Sequence, residues 1–155
     1  MAKMSRLLVV PRRSWLALLI LFLLADSGRA APALPGDPCQ VEPRPVWSGT
    51  ETWVWNQICV GEIADLNAHF GRDLDPRSAK DWTEERKLSA TFLETILLHD
   101  PWRSAVPRQG VRVVAAWFNE TIEFEDANTA HQLWLDGSRF AAGLNLTQIR
   151  APALF

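Results

Sequence analysis

From Val111 onward the hydrophobic positions recur with a fixed period. The chain divides there into four stretches of eleven residues, beginning at Val111, Ile122, Leu133 and Leu144. The third position reads Val113, Phe124, Leu135 and Leu146. The sixth is small or apolar (Ala116, Ala127, Ser138, Ile149), and the eighth reads Phe118, Thr129, Phe140 and Ala151. Each stretch holds two pairs of inward positions, and the members of a pair are two residues apart. That spacing puts both side chains on one face of a short strand. Self-similarity at a fixed period is the mark of a repeat architecture. The expected fold class is therefore mainly β: a short parallel β-helix (solenoid) of 11-residue half-coils, preceded by an α-helical N-terminal cap. Two half-coils make a turn of 22 residues, which predicts ladders such as Val111 over Leu133 and Phe118 over Phe140. Two antiparallel hairpins also alternate, but they need a turn signal at every reversal. Gly137 and Gly143 are the only glycines after Gly110.

Upstream the pattern changes. Thr52–Cys59 places Trp53 and Trp55 on one face and predicts a short strand. Ile63, Leu66 and Phe70 have helical spacing and predict a short helix over Gly61–Phe70, stopped at Gly71. Asp81-Trp-Thr-Glu84 has the form of a capping box. It predicts a helix from Trp82 to Leu98 with an apolar face of Leu88, Phe92, Leu93 and Ile96. Glu84, Glu85, Arg86 and Lys87 lie near its exposed start. His99-Asp-Pro101 ends it, because a residue before proline disfavours the helical region.

The first residues read differently again. Met1–Arg13 carries Lys3, Arg6, Arg12 and Arg13 and no acid, and Trp15–Ala25 is an unbroken apolar run of eleven. A membrane span needs about 20 apolar residues, whereas a signal-peptide core needs about 7–15. Small residues place the cleavage between Ala30 and Ala31. The organisation expected is a signal peptide over 1–30, a Pro-rich extended segment over 31–50, a helical cap region over 51–108, and β-helix repeats over 109–155. The protein is thus expected to be exported, and periplasmic or extracellular after cleavage. Arg12-Arg13-Ser-Trp resembles a twin-arginine signal, but ordinary secretion accounts for the same residues.

Export changes the charge. The whole chain has 16 basic and 18 acidic residues; without residues 1–30 it has 11 and 17, a net charge of −6. No basic excess points to a nucleic-acid partner. Two cysteines remain, Cys39 and Cys59, and in an oxidising compartment they are expected to pair. Such a bond closes a loop of about 20 residues and contributes on the order of 3 kcal/mol by chain entropy.

The alternation of small and large inward residues at five-residue steps resembles the pentapeptide-repeat type of right-handed β-helix. More specifically, the chain is similar to a loose group of uncharacterised exported bacterial proteins. In these, a helix of the form Arg86-x-Leu88 to Phe92-Leu93-x-x-Ile96-Leu97 precedes Gly110-Val-Arg-Val and an Ala116-x-Phe118 unit. The resemblance covers about residues 82–155. The strict pentapeptide signature is not kept, since Ala127-Asn128 is followed by Thr129. The resemblance implies a helical cap on a β-helix and little about activity. Some pentapeptide-repeat proteins mimic duplex DNA, a role that an exported protein would not meet.

Candidate chemistry is sparse. His69, His99 and His131 are isolated, and no zinc-protease, nucleophile-elbow or phosphate-loop pattern occurs. No catalytic, cofactor-binding or metal-ligating residue is therefore named, and no cofactor is expected. The candidate binding residues are Glu123, Glu125, Asp126 and Trp134, all on outward positions. Glu123 and Glu125 point the same way along one strand, toward Arg112 or a cation. Trp134 offers a stacking surface for a sugar unless the Trp82 helix covers it. A plain solvated face explains the acids equally well. Asn119-Glu-Thr121 and Asn145-Leu-Thr147 match the N-glycosylation triplet, which matters only in a eukaryote. The expected function is a non-enzymatic binding or structural module of the bacterial envelope or periplasm. The alternatives are a polysaccharide-acting enzyme on a β-helix scaffold and a truncated fragment of a longer repeat protein. A fifth stretch would begin at Phe155, so Leu144, Leu146 and Ile149 on the last coil predict self-association through the C-terminal edge.

Overall fold

Ser48 and Glu51 decide the first element. The Ser48 hydroxyl accepts from the Glu51 backbone N–H, and the Glu51 carboxylate accepts from the Ser48 backbone N–H. This capping box starts helix α1, Gly49–Cys59. Its buried side chains, Val54, Trp55, Ile58 and Cys59, follow helical spacing. The strand expected over Thr52–Cys59 is therefore a helix: the alternation of two tryptophans is outweighed by the capping box and the four-residue stripe. The computed structural model describes residues 39–155. The expected signal peptide, its cleavage point between Ala30 and Ala31, and the first part of the Pro-rich segment lie outside the described residues. Cys39 and Cys59 are joined by a disulfide, with Cα atoms 5.3 Å apart. It ties the entering chain to the end of α1. Among the described residues no helix is long and apolar enough to cross a membrane.

The next helix is shorter than expected. Ala64–Asp65 forms strand β1, and helix α2 runs only over Leu66–Phe70. The Asp65 carboxylate caps α2 by accepting from the Asn67 and Ala68 N–H groups at 2.9 and 3.0 Å. Gly71 ends it in the left-handed conformation, with φ 65°.

The helix expected from Trp82 to Leu98 is split. Glu84–Arg86 makes one 3-10 turn, and helix α3 spans Ala90–Leu98 with Ser89 as its N-cap. Asp81 caps nothing; it takes φ 71° and pairs with Arg72 at 2.6 Å. The break has two causes. Leu88 donates its N–H to the Trp117 carbonyl at 3.0 Å, and Lys87 bridges Trp117 in parallel, which holds this stretch extended. Arg86 turns inward and is only 3% exposed, donating to the Asn67 side-chain oxygen at 2.6 Å and to the Arg72 carbonyl. An expected surface cation is thus a buried strut. A short helix α4, Trp102–Ala105, follows.

Six strands complete the chain: β2 (Val111–Val114), β3 (Trp117–Phe118), β4 (Ile122–Glu123), β5 (Leu133–Asp136), β6 (Arg139–Phe140) and β7 (Leu144–Asn145). All pairings are parallel. They form one three-stranded sheet, β1-β2-β5, and two two-stranded sheets, β3-β6 and β4-β7. The register pairs Val111 with Leu133, Phe118 with Phe140 and Ile122 with Leu144, always 22 residues apart. Gly110 is required where these levels approach. It has φ 72°, and a Cβ there would lie 2.5 Å from the Gln132 carbonyl oxygen.

The fold class nevertheless differs from the expected one. The protein is a small mixed α/β fold, not a mainly β solenoid. The strands are two to four residues long and lie in three separate sheets. The core is shared with the helices: Trp55, Ile58, Phe92 and Leu93 belong to the same buried cluster as Val111, Phe118 and Phe124. Strands this short and this few cannot bury their own faces, so α1 and α3 supply much of the interior rather than a lid at one end.

Candidate functional site

An open apolar hollow lies at the C-terminal end of the described residues. Leu133 and Leu135 from β5, Phe140 from β6, Leu144 and Leu146 from and after β7, and Leu154 and Phe155 line an open hollow of about 320 Å³. The strand period explains the lining. Leu133, Leu135, Phe140, Leu144 and Leu146 are inward positions of the last two eleven-residue stretches, and Leu154 and Phe155 add to them. The chain end forms one wall. Leu133 donates its N–H to the Ala153 carbonyl at 3.1 Å, Leu135 to Phe155 at 2.9 Å, and Phe155 returns a bond to the Leu133 carbonyl at 3.0 Å. Phe140 stacks flat on the buried Phe118, with centroids 5.1 Å apart and planes at 7°.

The predicted binding residues sit elsewhere or have other neighbours. Glu123 is exposed, and its carboxylate accepts from the Asn145 amide at 2.8 Å. It does not meet Arg112, whose guanidinium donates to the Gly61 carbonyl. Glu125 and Asp126 are exposed as well, while Phe124 between Glu123 and Glu125 is buried. Asp126 takes φ 55°, so its place in the fold is a backbone corner. Trp134 is 37% exposed and packs against Phe155, ring centroids 4.6 Å apart. The Trp82 helix does not cover it; Trp82 is buried and its indole donates to the Asp75 carbonyl at 3.2 Å. Of the predicted residues, then, only Trp134 adjoins the chain end that walls the hollow.

The three histidines and Arg139 have structural partners. His69 stacks on Trp53 at 4.0 Å, His131 lies 2.9 Å from the Arg103 carbonyl, and His99 lies 3.5 Å from Glu94. Arg139 donates to the Pro76 and Ser78 carbonyls at 3.0 and 3.2 Å, pinning the loop before Trp82. Burial, and then the neighbouring Arg72, lowers the pKa of Arg86. A guanidinium so lowered still keeps its proton at neutral pH. Asp100 is held below the ordinary carboxylate range chiefly by the Ser104 hydroxyl, with Arg103 adding to it. Among the described residues no group of three or more His, Cys, Asp or Glu is placed to hold a metal ion.

Among the described residues the lining side chains of the hollow are Leu and Phe. Reading the sequence for charged clusters overlooked Leu133, Leu135, Phe140 and Leu154. The signal was present in their inward register; of Leu144, Leu146 and Ile149, expected on the exposed edge, the first two line the hollow and Ile149 does not. Compared with protein-family models, with curated proteins and with solved structures, the chain shows no match.

Proposed function

We propose that this chain is an exported, non-enzymatic binding or structural module of the bacterial envelope or periplasm, and that it works by packing through its C-terminal hollow. The observation that carries the export reading is the Cys39–Cys59 disulfide, a bond that persists in oxidising compartments. The basic start, the eleven-residue apolar run and the small residues before Ala31 support the same reading. The observation that favours packing over catalysis is the hollow itself. Catalytic pockets combine apolar walls with a few convergent polar groups, and this one has walls of Leu and Phe.

Expression in a bacterium followed by N-terminal sequencing and thiol titration tests this. The exported protein is expected to begin at Ala31 and to show no reactive thiol until it is reduced. An uncleaved cytosolic chain with two free thiols sinks the export reading.

A further inference from the structure

We propose that the Cys39–Cys59 disulfide is a redox-operated lock on a strap, residues 39–47, that lies across the helical core. The inference goes beyond the packing role proposed above and does not depend on it. The strap forms neither helix nor strand. Side chains from three helices hold it down. The Trp55 indole of α1 donates to the Val41 carbonyl at 2.8 Å, and the Trp102 indole of α4 donates to the Glu42 carbonyl at 3.0 Å. Arg44 lies over the Trp102 ring at 5.7 Å and donates to the Thr95 hydroxyl of α3 at 3.4 Å. Trp47 ends the strap with its ring edge-on to Phe92, centroids 4.9 Å apart. Beneath it Trp55 and Phe92 are fully buried.

The two ends of the strap are fixed by different chemistry. After Trp47 the chain enters the Ser48–Glu51 capping box, whose carboxylate also accepts from Ser89 at the start of α3. At the other end the covalent bond ties Cys39 to the last residue of α1. Between them every residue is half-buried or exposed. A segment with no ladder and little buried surface belongs to the low-stability end of a fold and opens locally. The bond opposes that opening. By chain entropy, closing a loop of about 20 residues favours the tied state about 100-fold. The core beneath depends less on the strap, because the capping box and the Glu51 bridge to Ser89 are made by residues from Ser48 onward.

A dithiol opens the lock by exchange. Cys59 is 5% exposed whereas Cys39 is half-buried, so an incoming thiolate reaches the Cys39 sulfur first. A mixed disulfide forms on Cys39, and Cys59 leaves as a thiolate and takes up a proton. The second thiolate of the reductant then displaces Cys39, which takes up a proton in turn. The protein gains two electrons and two protons, and the dithiol is oxidised to its disulfide. The Cys59 sulfur lies 3.5 Å from the Asn56 carbonyl, which accepts from the new thiol. Cys59 therefore stays in the core while Cys39 leaves with the strap.

Nitrogen-15 NMR of the oxidised protein, before and after dithiothreitol, reads the indole N–H groups one by one. Trp82 is the reference, since its indole bonds to the Asp75 carbonyl in a different segment. Reduction is expected to speed exchange of the Trp55 indole proton at least about 30-fold and to shift the Trp102 resonance, with Trp82 unchanged. Cys39→Ser is expected to give the same result without reductant, because it removes the tie and leaves Cys59 in place. A Trp55 indole that stays protected after reduction overturns the proposal, since the strap then holds without the bond. Loss of protection at Trp55 and Trp82 together overturns it as well, since the bond then staples the whole fold. Neither result touches the export reading, which stands or falls on the cleavage site and the thiols of the protein as produced.

Discussion

Residues 111–132 and 133–154 carry nearly the same inward side chains and differ in what covers them. Val111, Val113, Phe118, Ile122 and Phe124 are buried. Their partners one level on are Leu133, Leu135, Phe140, Leu144 and Leu146. Of these only Leu133 is buried, and Leu144 is 36% exposed. The chemistry is conserved across the levels, so the side chains themselves do not set the burial. The first level lies between the helices and the second level. Among the described residues the second is flanked on its far side by the chain end alone, along β5. Apolar area removed from water contributes roughly 25 cal/mol per Å², so equivalent positions contribute unequally to stability.

Phe118 and Phe140 give the largest contrast. They face each other ring on ring, so each can be removed with the same partner nearby. Phe118→Ala is expected to cost about 3–5 kcal/mol, as for a fully buried aromatic. Phe140→Ala is expected to cost about 1–2 kcal/mol when the protein is dilute, because that side chain is only partly buried. Urea denaturation at about 1 μM compares them. Equal costs would break the comparison and mean that the far side is covered in the monomer. A Phe140→Ala cost that grows with protein concentration would instead sharpen it, since a contact between copies stabilises by mass action.

The same contrast explains what was legible in the sequence. The pairing of Val111 with Leu133 and Phe118 with Phe140 was legible because a two-residue spacing repeated at a fixed offset has few other uses. The cysteine pair was legible from compartment and count, and the Gly71 stop from its position after an apolar helical stripe. The extent of the helices was not. Helix α1 is set by Ser48 and Glu51, which straddle the boundary expected at residue 50 between the extended segment and the cap region. The start of α3 is set by Leu88 bonding to Trp117, a contact 29 residues away that no local pattern reports. Arg86 looked like a surface charge because its acceptors, the Asn67 amide oxygen and the Arg72 carbonyl, come together only in the fold. The fold class was misjudged for the same reason: the strands' share of the core depends on helices whose placement is tertiary. The candidate site was half legible, as leucines on the right positions but with the acids given more weight than their exposed positions support.

Polar bridges give a middle-sized contrast between the two ends. At the helical end, Glu51 is buried and joins two helix starts. It accepts from the Ser48 N–H at 2.7 Å, the Ser89 N–H at 2.9 Å and the Ser89 hydroxyl at 2.5 Å. Glu51→Ala leaves part-buried donors at Ser48 and Ser89 without this acceptor at both helix starts and is expected to cost about 2–4 kcal/mol. At the open end, Glu123 bridges to Asn145 in solvent. Glu123→Ala is expected to change stability by less than about 0.5 kcal/mol. Thermal melts of the two variants decide it. A large effect at Glu123 would mean that the open end is better shielded than its exposure indicates.

The smallest effects expected lie at the corners. Ala115, Asp126, Gly137 and Gln148 are the fifth residues of the four stretches, and all have left-handed backbones, with φ of 58°, 55°, 57° and 56°. One conformation recurs although only one of the four residues is glycine. A non-glycine residue pays roughly 1 kcal/mol there, less for Asp, whose short polar side chain tolerates the region. Ala115 is buried, so a change there mixes packing with backbone strain. Gly137 and Gln148 lie on the open second level, where the backbone term stands alone. Nothing lies within 4 Å of a Cβ built on Gly137, so Gly137→Ala measures the conformational cost without a clash. It is expected to destabilise by about 1 kcal/mol, and Gln148→Gly to stabilise by about 0.5–1 kcal/mol. The opposite signs are the test. If Gln148→Gly destabilises, the last corner is not held in the left-handed region in solution, and the second level is looser than the first in its backbone as well as in its packing.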